Sequence, residues 1–325
     1  MRRSFATLGL FILPLLIFCD KLPAEELNQM SLALSLPDLS WSLEVNEPGF
    51  TVEQKEIAAS GDAARLQAVN SKTGVVLSAF LERAARTGDS KECREYYWSK
   101  AEKSPFKKEQ ITMYESGPIS VVKYIIPEYQ GVNMSQKNVN GYLAVEGYWI
   151  DVHLSKASYR EEGEDPLLPI LKNIRINKDY IPTAFDHFQY GSLFYSTKDY
   201  KKAAFHYEKA LELEKHKASL NRNEWKILVD QLGISYGISG ELTKARSLFE
   251  WAITQEPEYP LFHYNLACAF AEMGNREQAL TSLRMAYKYK DKVLPGESLP
   301  KPEEDSSFTK YLQDNEFKAE LDRMR

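Results

Sequence analysis

FDHFQYGSLFYSTKDYKKAAFHYEKA, residues Phe185 to Ala210, sets the reading of the whole chain, because its spacing of small and aromatic residues returns twice. Gly191 is followed by Phe194, Ala203, Tyr207 and Ala210; Gly233 by Tyr236, Ala245, Phe249 and Ala252; Ala267 by Phe270, Ala279, Leu283 and Ala286. The offsets agree in all three copies. A pattern that returns at identical offsets is an internal repeat, and units of this length bury their apolar residues by stacking one on the next. Gly191 to Gly233 is 42 positions and Gly233 to Ala267 is 34, so the first interval holds extra residues. They are placed most simply in Lys215–Glu224, as a longer connection.

The pattern of small residue, aromatic, alanine, large apolar residue and final small residue resembles the tetratricopeptide repeat, whose period is 34 residues. Gly240 and Pro257 in the second copy and Gly274 in the third fit it, while Lys215 stands where the first copy should have proline. The resemblance implies three units over 183–325. A closing amphipathic helix, carrying Phe308, Tyr311 and Phe317 to Leu321, is expected to cover the apolar face of the last one. Function in that family lies on the first helix of each unit, which lines a concave groove. Position by position, this places Phe188, Ser192 and Tyr195 in the groove of the first unit, Asp230, Ile234 and Gly237 in the second, and Tyr264, Cys268 and Ala271 in the third. The Lys and Asn that hold a partner's carboxylate in chaperone-binding members are absent, so the expectation is an apolar, aromatic groove for a peptide or helix of a partner protein. The competing reading is that the groove is filled from within the chain and these aromatics are core.

Upstream, a different pattern rules. Trp41, Leu43 and Val45 alternate with polar residues, the period of a half-buried strand. Extended segments follow at Thr51–Ile57, Leu66–Asn70 and Val75–Phe80, divided by turn-forming Gly61 and Gly74. Asp89 and Glu92 form a capping box for a helix carrying Cys93, Tyr97 and Ala101. Val121–Ile126, then Tyr142–Val145 and Tyr148–Leu154 around Glu146-Gly147, read as a strand and a hairpin. Asp165-Pro166 opens a closing helix with the stripe Leu167, Leu168, Leu171 and Ile174. The whole is an α+β domain over 39–182, an antiparallel sheet with helices, followed by the all-α repeats. Its element order, with WSLEV…EPGF opening and GYWIDVHL closing, resembles the PsbP/Mog1-like sandwich. No functional residue carries over from that likeness.

The amino terminus has Met1-Arg2-Arg3, then sixteen uncharged residues from Ser4 to Cys19, then Asp20-Lys21, the layout of a secretory signal. A spanning helix needs about 20 apolar residues, which favours export over a permanent anchor. Cys19 after Leu16-Ile17-Phe18 resembles a bacterial lipoprotein signal, with Phe18 where the pattern has a small residue, and implies lipidation and membrane attachment there. Cleavage after Ala24 is the alternative. Residues 1–24 are thus a signal, 25–38 a tether, and the expected compartment is the bacterial periplasm or envelope.

A net charge of −5 and a pI near 5.7 offer no basic field for nucleic acid. Cys19, Cys93 and Cys268 are too few and too dispersed for a disulfide framework or a zinc site. No Gly-rich phosphate loop, GxSxG elbow or paired redox cysteine occurs. Asp151, His153 and Ser155 share one strand face, but neighbours on one strand do not converge as a triad does, and a solvated polar face is the expectation. The chain reads as a non-enzymatic adaptor without cofactor or metal. The alternative is an α+β domain that binds a small ligand or lipid on its more polar sheet face, with the repeats as spacer or oligomerisation surface.

Overall fold

The computed structural model describes residues 32–161 and 165–324. The signal, with Cys19, and most of the expected tether lie outside them. The chain divides into two compact units at Ile181/Pro182.

In the first unit the strands are β1 (Ala33–Leu34), β2 (Ser42–Val45), β3 (Thr51–Ile57), β4 (Ala63–Asn70), β5 (Val75–Arg83), β6 (Glu109–Ser116), β7 (Ile119–Tyr129), β8 (Val132–Val145), β9 (Tyr148–Lys156) and β10 (Ile174–Asn177). Helix α1 (Ser90–Ala101) separates β5 from β6, and the single-turn α2 (Leu168–Lys172) precedes β10. Seven strands form one antiparallel sheet in the order β3-β4-β5-β9-β8-β7-β6, and β1-β2-β10 form a second. The β8–β9 hairpin turns through Glu146 and Gly147, both at positive φ (50° and 81°), as a two-residue primed turn requires.

Alternation along the central strands decides what each face meets. Leu77, Ala79 and Leu81 of β5 and Ile150, Val152 and Leu154 of β9 face a core with Trp41, Leu43 and the α2 residues Ile170 and Leu171. On the opposite face Val122, Tyr124, Tyr142 and Trp149 pack beneath Cys93 and Trp98 of α1. That helix starts as expected: Asp89 accepts from the N–H groups of Lys91 and Glu92, and Glu92 reaches back to the Asp89 N–H at 2.8 Å.

Three expectations need correction. The end of the 25–38 tether is structural: Ala33 and Leu34 pair with β2, and Ser35 and Leu36 are buried. The stripe from Leu167 to Ile174 is not one helix. α2 stops at Lys172, and Ile174 pairs with Val45 in the small sheet. Asp165 accepts from the N–H groups of Leu167 and Leu168 in the turn ahead of the helix, whose N-cap residue is Leu167. The edge strand β6 was not anticipated, because it is exposed almost throughout and buries no stripe to reveal it.

The second unit is three helix pairs: α3 (Ala184–Ser196) with α4 (Tyr200–His216), α5 (Arg222–Ile238) with α6 (Leu242–Gln255), and α7 (Pro260–Glu272) with α8 (Arg276–Lys288). Short 3₁₀ turns at Pro302–Glu304 and Ser306–Tyr311 lead to α9 (Asn315–Met324). The repeat signature is helix packing. A Cβ on Gly233 would stand 2.2 Å from Phe249 Cζ, and one on Gly191 2.5 Å from the Tyr207 ring, so only glycine admits the aromatic of the paired helix. Ala203, Ala245 and Ala279 are buried on the second helices. The extra residues of the first interval mostly lengthen helices rather than a loop: α4 and α5 have 17 residues each, where α3 and α7 have 13.

Candidate functional site

The first helices α3, α5 and α7 carry the groove positions. Phe188, Ser192, Tyr195, Asp230 and Ile234 are half-buried. Phe188 and Tyr195 pack on the repeat core by one edge, and Tyr195 meets the Tyr200 ring edge-on at 5.5 Å. Ser192 is committed to structure: its hydroxyl donates to the Phe188 carbonyl at 3.0 Å and accepts from Tyr207 at 3.1 Å. The same Tyr207 hydroxyl, whose single hydrogen serves one acceptor at a time, also lies against the Gln231 side-chain oxygen of α5, linking the first unit to the second.

Asp230 accepts from the Asn265 amide of α7 at 2.6 Å, which links the second unit to the third. Burial pushes its carboxyl up to about 7; the Asn265 hydrogen bond opposes the shift and the Glu297 carboxylate adds to it. The second unit thus presents a carboxyl poised between its charged and neutral forms, beside the aliphatic Ile234.

At the third unit the chain answers its own groove. Tyr264 is 1% exposed, and its hydroxyl donates to Asp305 at 3.1 Å. The Cys268 thiol donates to the same carboxylate at 3.5 Å, and the Phe308 ring stands edge-on to Tyr264 at 6.0 Å. The contacts run on in register. Tyr259 at the start of α7 donates to Glu297 at 2.8 Å, and Tyr311 reaches the Ala271 carbonyl at its end at 3.4 Å. Residues 297–311 therefore lie along α7 in parallel with it, and Phe308, Phe317 and Leu321 complete the apolar cluster with Ala267, Ala279 and Leu283. The expectation for Tyr264 and Cys268 is corrected here: the C-terminal segment covers them as core, because a stack of helix pairs that ends without a cover exposes its last apolar face. Burial and Asp305 raise the Cys268 thiol well above its usual range, so it is a packed thiol and not a reactive one.

The closing segment expected over the last repeat does cover it, with Phe308, Tyr311 and Phe317 in the cluster, and the polar partner Asp305 lies 37 and 41 residues downstream of Cys268 and Tyr264. Gln231 and Asn265, which tie the units together, went unnoticed because the repeat pattern leaves their positions unspecified.

In the first unit of the fold, Asp151 and His153 share a face as expected, but the face is only partly open to solvent. Asn138 is fully buried, Asn140 and Ser155 nearly so, and the three are joined to the pair by hydrogen bonds or strand pairing. Cys93 is buried on the face of α1 that packs on the sheet, where burial raises its thiol. Among the described residues there is no group of three or more His, Cys, Asp or Glu side chains placed to hold a metal, and no helix is long and apolar enough to cross a membrane.

Residues 187–217 match the family model described as Tetratricopeptide repeat. The matched residues fall within the first of three stacked helix pairs, all of which carry the small-residue spacing of that family. Among solved structures, the chain is similar to YrrB, described as a TPR protein with an unusual peptide-binding site, at 23% identity and a TM-score of 0.31, covering 35% of this chain and 55% of that one. It is also similar to the Sgt2 TPR domain from Aspergillus fumigatus, at 20% identity and a TM-score of 0.32, covering 45% of this chain and 84% of that one. The chain thus spans about half the length of the first. Comparison with curated protein sequences finds no match.

Proposed function

We propose that this protein is a non-enzymatic adaptor or assembly factor that holds a peptide or helix of a partner protein in the groove of its first two repeats. The observation that carries the reading is a contrast along one surface. The third unit's groove positions are covered by the chain's own Asp305 and Phe308, whereas Phe188, Tyr195 and Ile234 in the first two units remain half-buried. Aromatic and aliphatic side chains on adjacent first helices suit the apolar face of an amphipathic partner segment. Asp230 supplies an acidic or neutral polar anchor between them. Residues 1–24 support an envelope setting, with Cys19 as the attachment point or Ala24 as the last residue removed, and mass spectrometry of the mature amino terminus distinguishes these.

The test is capture of partners by the full chain and by the Phe188→Ala/Tyr195→Ala double variant. Both substitutions lie at half-buried sites, so a folded variant is expected and circular dichroism verifies it. Loss of a captured protein supports the groove. An unchanged set of captured proteins would place the interaction on another surface.

A further inference from the structure

The central strands of the large sheet carry a polar floor that packing alone does not require. On the face that α1 partly covers, strand register sets Ser78, His153 and Asn140 side by side across β5, β9 and β8, and Phe80, Asp151 and Tyr142 in the next row. α1 packs mainly over β7, β8 and β9 and reaches the end of β5 through Tyr97, whose hydroxyl donates to Glu82. Ser78 and Asn140 are 6% and 7% exposed, while Phe80, Asp151 and His153 keep partial access to solvent. Polar groups on the three middle strands cost desolvation, which must be offset by hydrogen bonds.

The network offsets only part of that cost, and it leaves defined atoms over. Asn138 donates through Nδ2 to the Gln136 carbonyl at 3.0 Å, so its Oδ1 is the acceptor that faces His153 Nε2 at 3.0 Å. This places the imidazole hydrogen on Nε2 and leaves Nδ1 with a lone pair. Asn140 donates to Asp151 Oδ1 at 2.9 Å, leaving Oδ2 as the second polar atom. Two residues along one strand set the side chains about 6.6 Å apart along the backbone, close enough for one small molecule to bond to both. Phe80 offers an apolar plane directly beside Asp151, and Tyr97 of α1 bounds the site at the other end, stacked on Tyr142 at 5.9 Å and reaching across to Glu82 of β5.

We propose that this face binds a small, planar, uncharged molecule that donates to His153 Nδ1 and bonds to Asp151 Oδ2, a primary amide attached to a ring being the simplest member of the class. The floor disfavours charge on either protein group: burial pushes Asp151 up to about 7 and His153 down to about 4. An anionic ligand would meet the same cost. The site is separate from the repeat groove, and neither proposal depends on the other.

The test uses the full chain labelled with ¹⁵N-histidine, with His153→Gln assigning the His153 ring signals. Benzamide and benzoate are the probes, alike in shape and different in charge. The expected result is a saturable shift of the His153 signals with benzamide, at least tenfold weaker with benzoate, retained in Asp151→Asn and lost in Phe80→Ala. Melting curves establish that each variant is folded. No saturable shift with benzamide, an equal response to benzoate, or a response unaffected by Phe80→Ala would overturn the proposal.

Discussion

Tyr264 and Asp305 are joined by a 3.1 Å hydrogen bond that ties the last repeat to a segment 41 residues downstream. The bond turns a position expected to face a ligand into part of the core, with Phe308 at 0% exposure beside it. Phe308→Ala should therefore destabilise the repeat unit by about 3–5 kcal/mol, the range for truncating a buried phenylalanine. Asp305→Ala should cost about 1–3 kcal/mol, because it leaves the buried Tyr264 hydroxyl without its acceptor. Urea denaturation followed by near-ultraviolet circular dichroism measures both. Losses under 0.5 kcal/mol, the size of an ordinary surface change, would show that the segment rests loosely on α7.

The contact of Gly233 with the Phe249 ring yields a second expectation. Gly233→Val places atoms where the ring now lies and forces helices α5 and α6 apart, at a cost of about 1–3 kcal/mol or more. Ala245→Leu, on a residue 1% exposed in the same interface, should cost a similar amount. A thermal melt reports either. No loss in both variants would contradict the assignment of these residues to packing.

Lys198, Gly240 and Gly274 occupy the same turn of successive repeats, and all three have positive φ, at 64°, 83° and 83°. Only the first carries a side chain, and a non-glycine residue pays about 1–2 kcal/mol for that conformation. Glycine's greater freedom in the unfolded chain offsets part of the gain. Lys198→Gly is expected to stabilise the protein by up to about 1 kcal/mol, read as a rise in the urea midpoint. A fall would show that the Lys198 side chain contributes more than the backbone geometry costs.

The sequence made such positions legible because glycine and alanine at fixed offsets have a geometric cause independent of what surrounds the repeat. Other features depended on distant partners. The run from Leu167 to Ile174 satisfies helical spacing, yet Ile174 is drawn into a strand by its pairing with Val45, 129 residues earlier. Alternation of Leu32, Leu34 and Leu36 signalled β1, but flanking prolines made the segment look like a linker. The added length between the first two repeats reads most simply as a longer connection within Lys215–Glu224. Asn221 instead caps a longer α5. In the candidate site, the repeat register gives Phe188, Tyr195 and Ile234 as groove positions and the closing residues Phe308 and Tyr311 signal a cover over the last repeat, but no pattern points to the Asp305 carboxylate that bonds Tyr264 and Cys268.

Asp151 and His153 predict opposite pH dependences. Burial pushes His153 from 6.5 to about 4, so below pH 6.5 the unfolded chain takes a proton that the fold refuses; this contribution is full above 6.5 and lost on acidification. Burial pushes Asp151 from 3.8 to about 7, so the fold holds a proton that the unfolded chain releases; this contribution is full below about 4 and lost as pH rises to 7. Asp151→Asn removes the second effect, and its stability should fall more steeply than the parent's between about pH 7.5 and pH 5. His153→Gln should shift the balance the other way. Denaturant midpoints at the two pH values decide it, and parallel behaviour of parent and both variants would contradict the assignment.

The central claim is that partner binding uses the first helices of the first two repeats. Site-specific photo-crosslinking of the full chain in its native cells tests it most directly, with the photoreactive residue at Ile234 in the groove or at Phe205, which is 54% exposed on the second helix α4. The account predicts a discrete adduct from position 234 that disappears in the Phe188→Ala/Tyr195→Ala background, and none from position 205. An adduct from position 205 alone, or one from position 234 that survives loss of both aromatics, would contradict it.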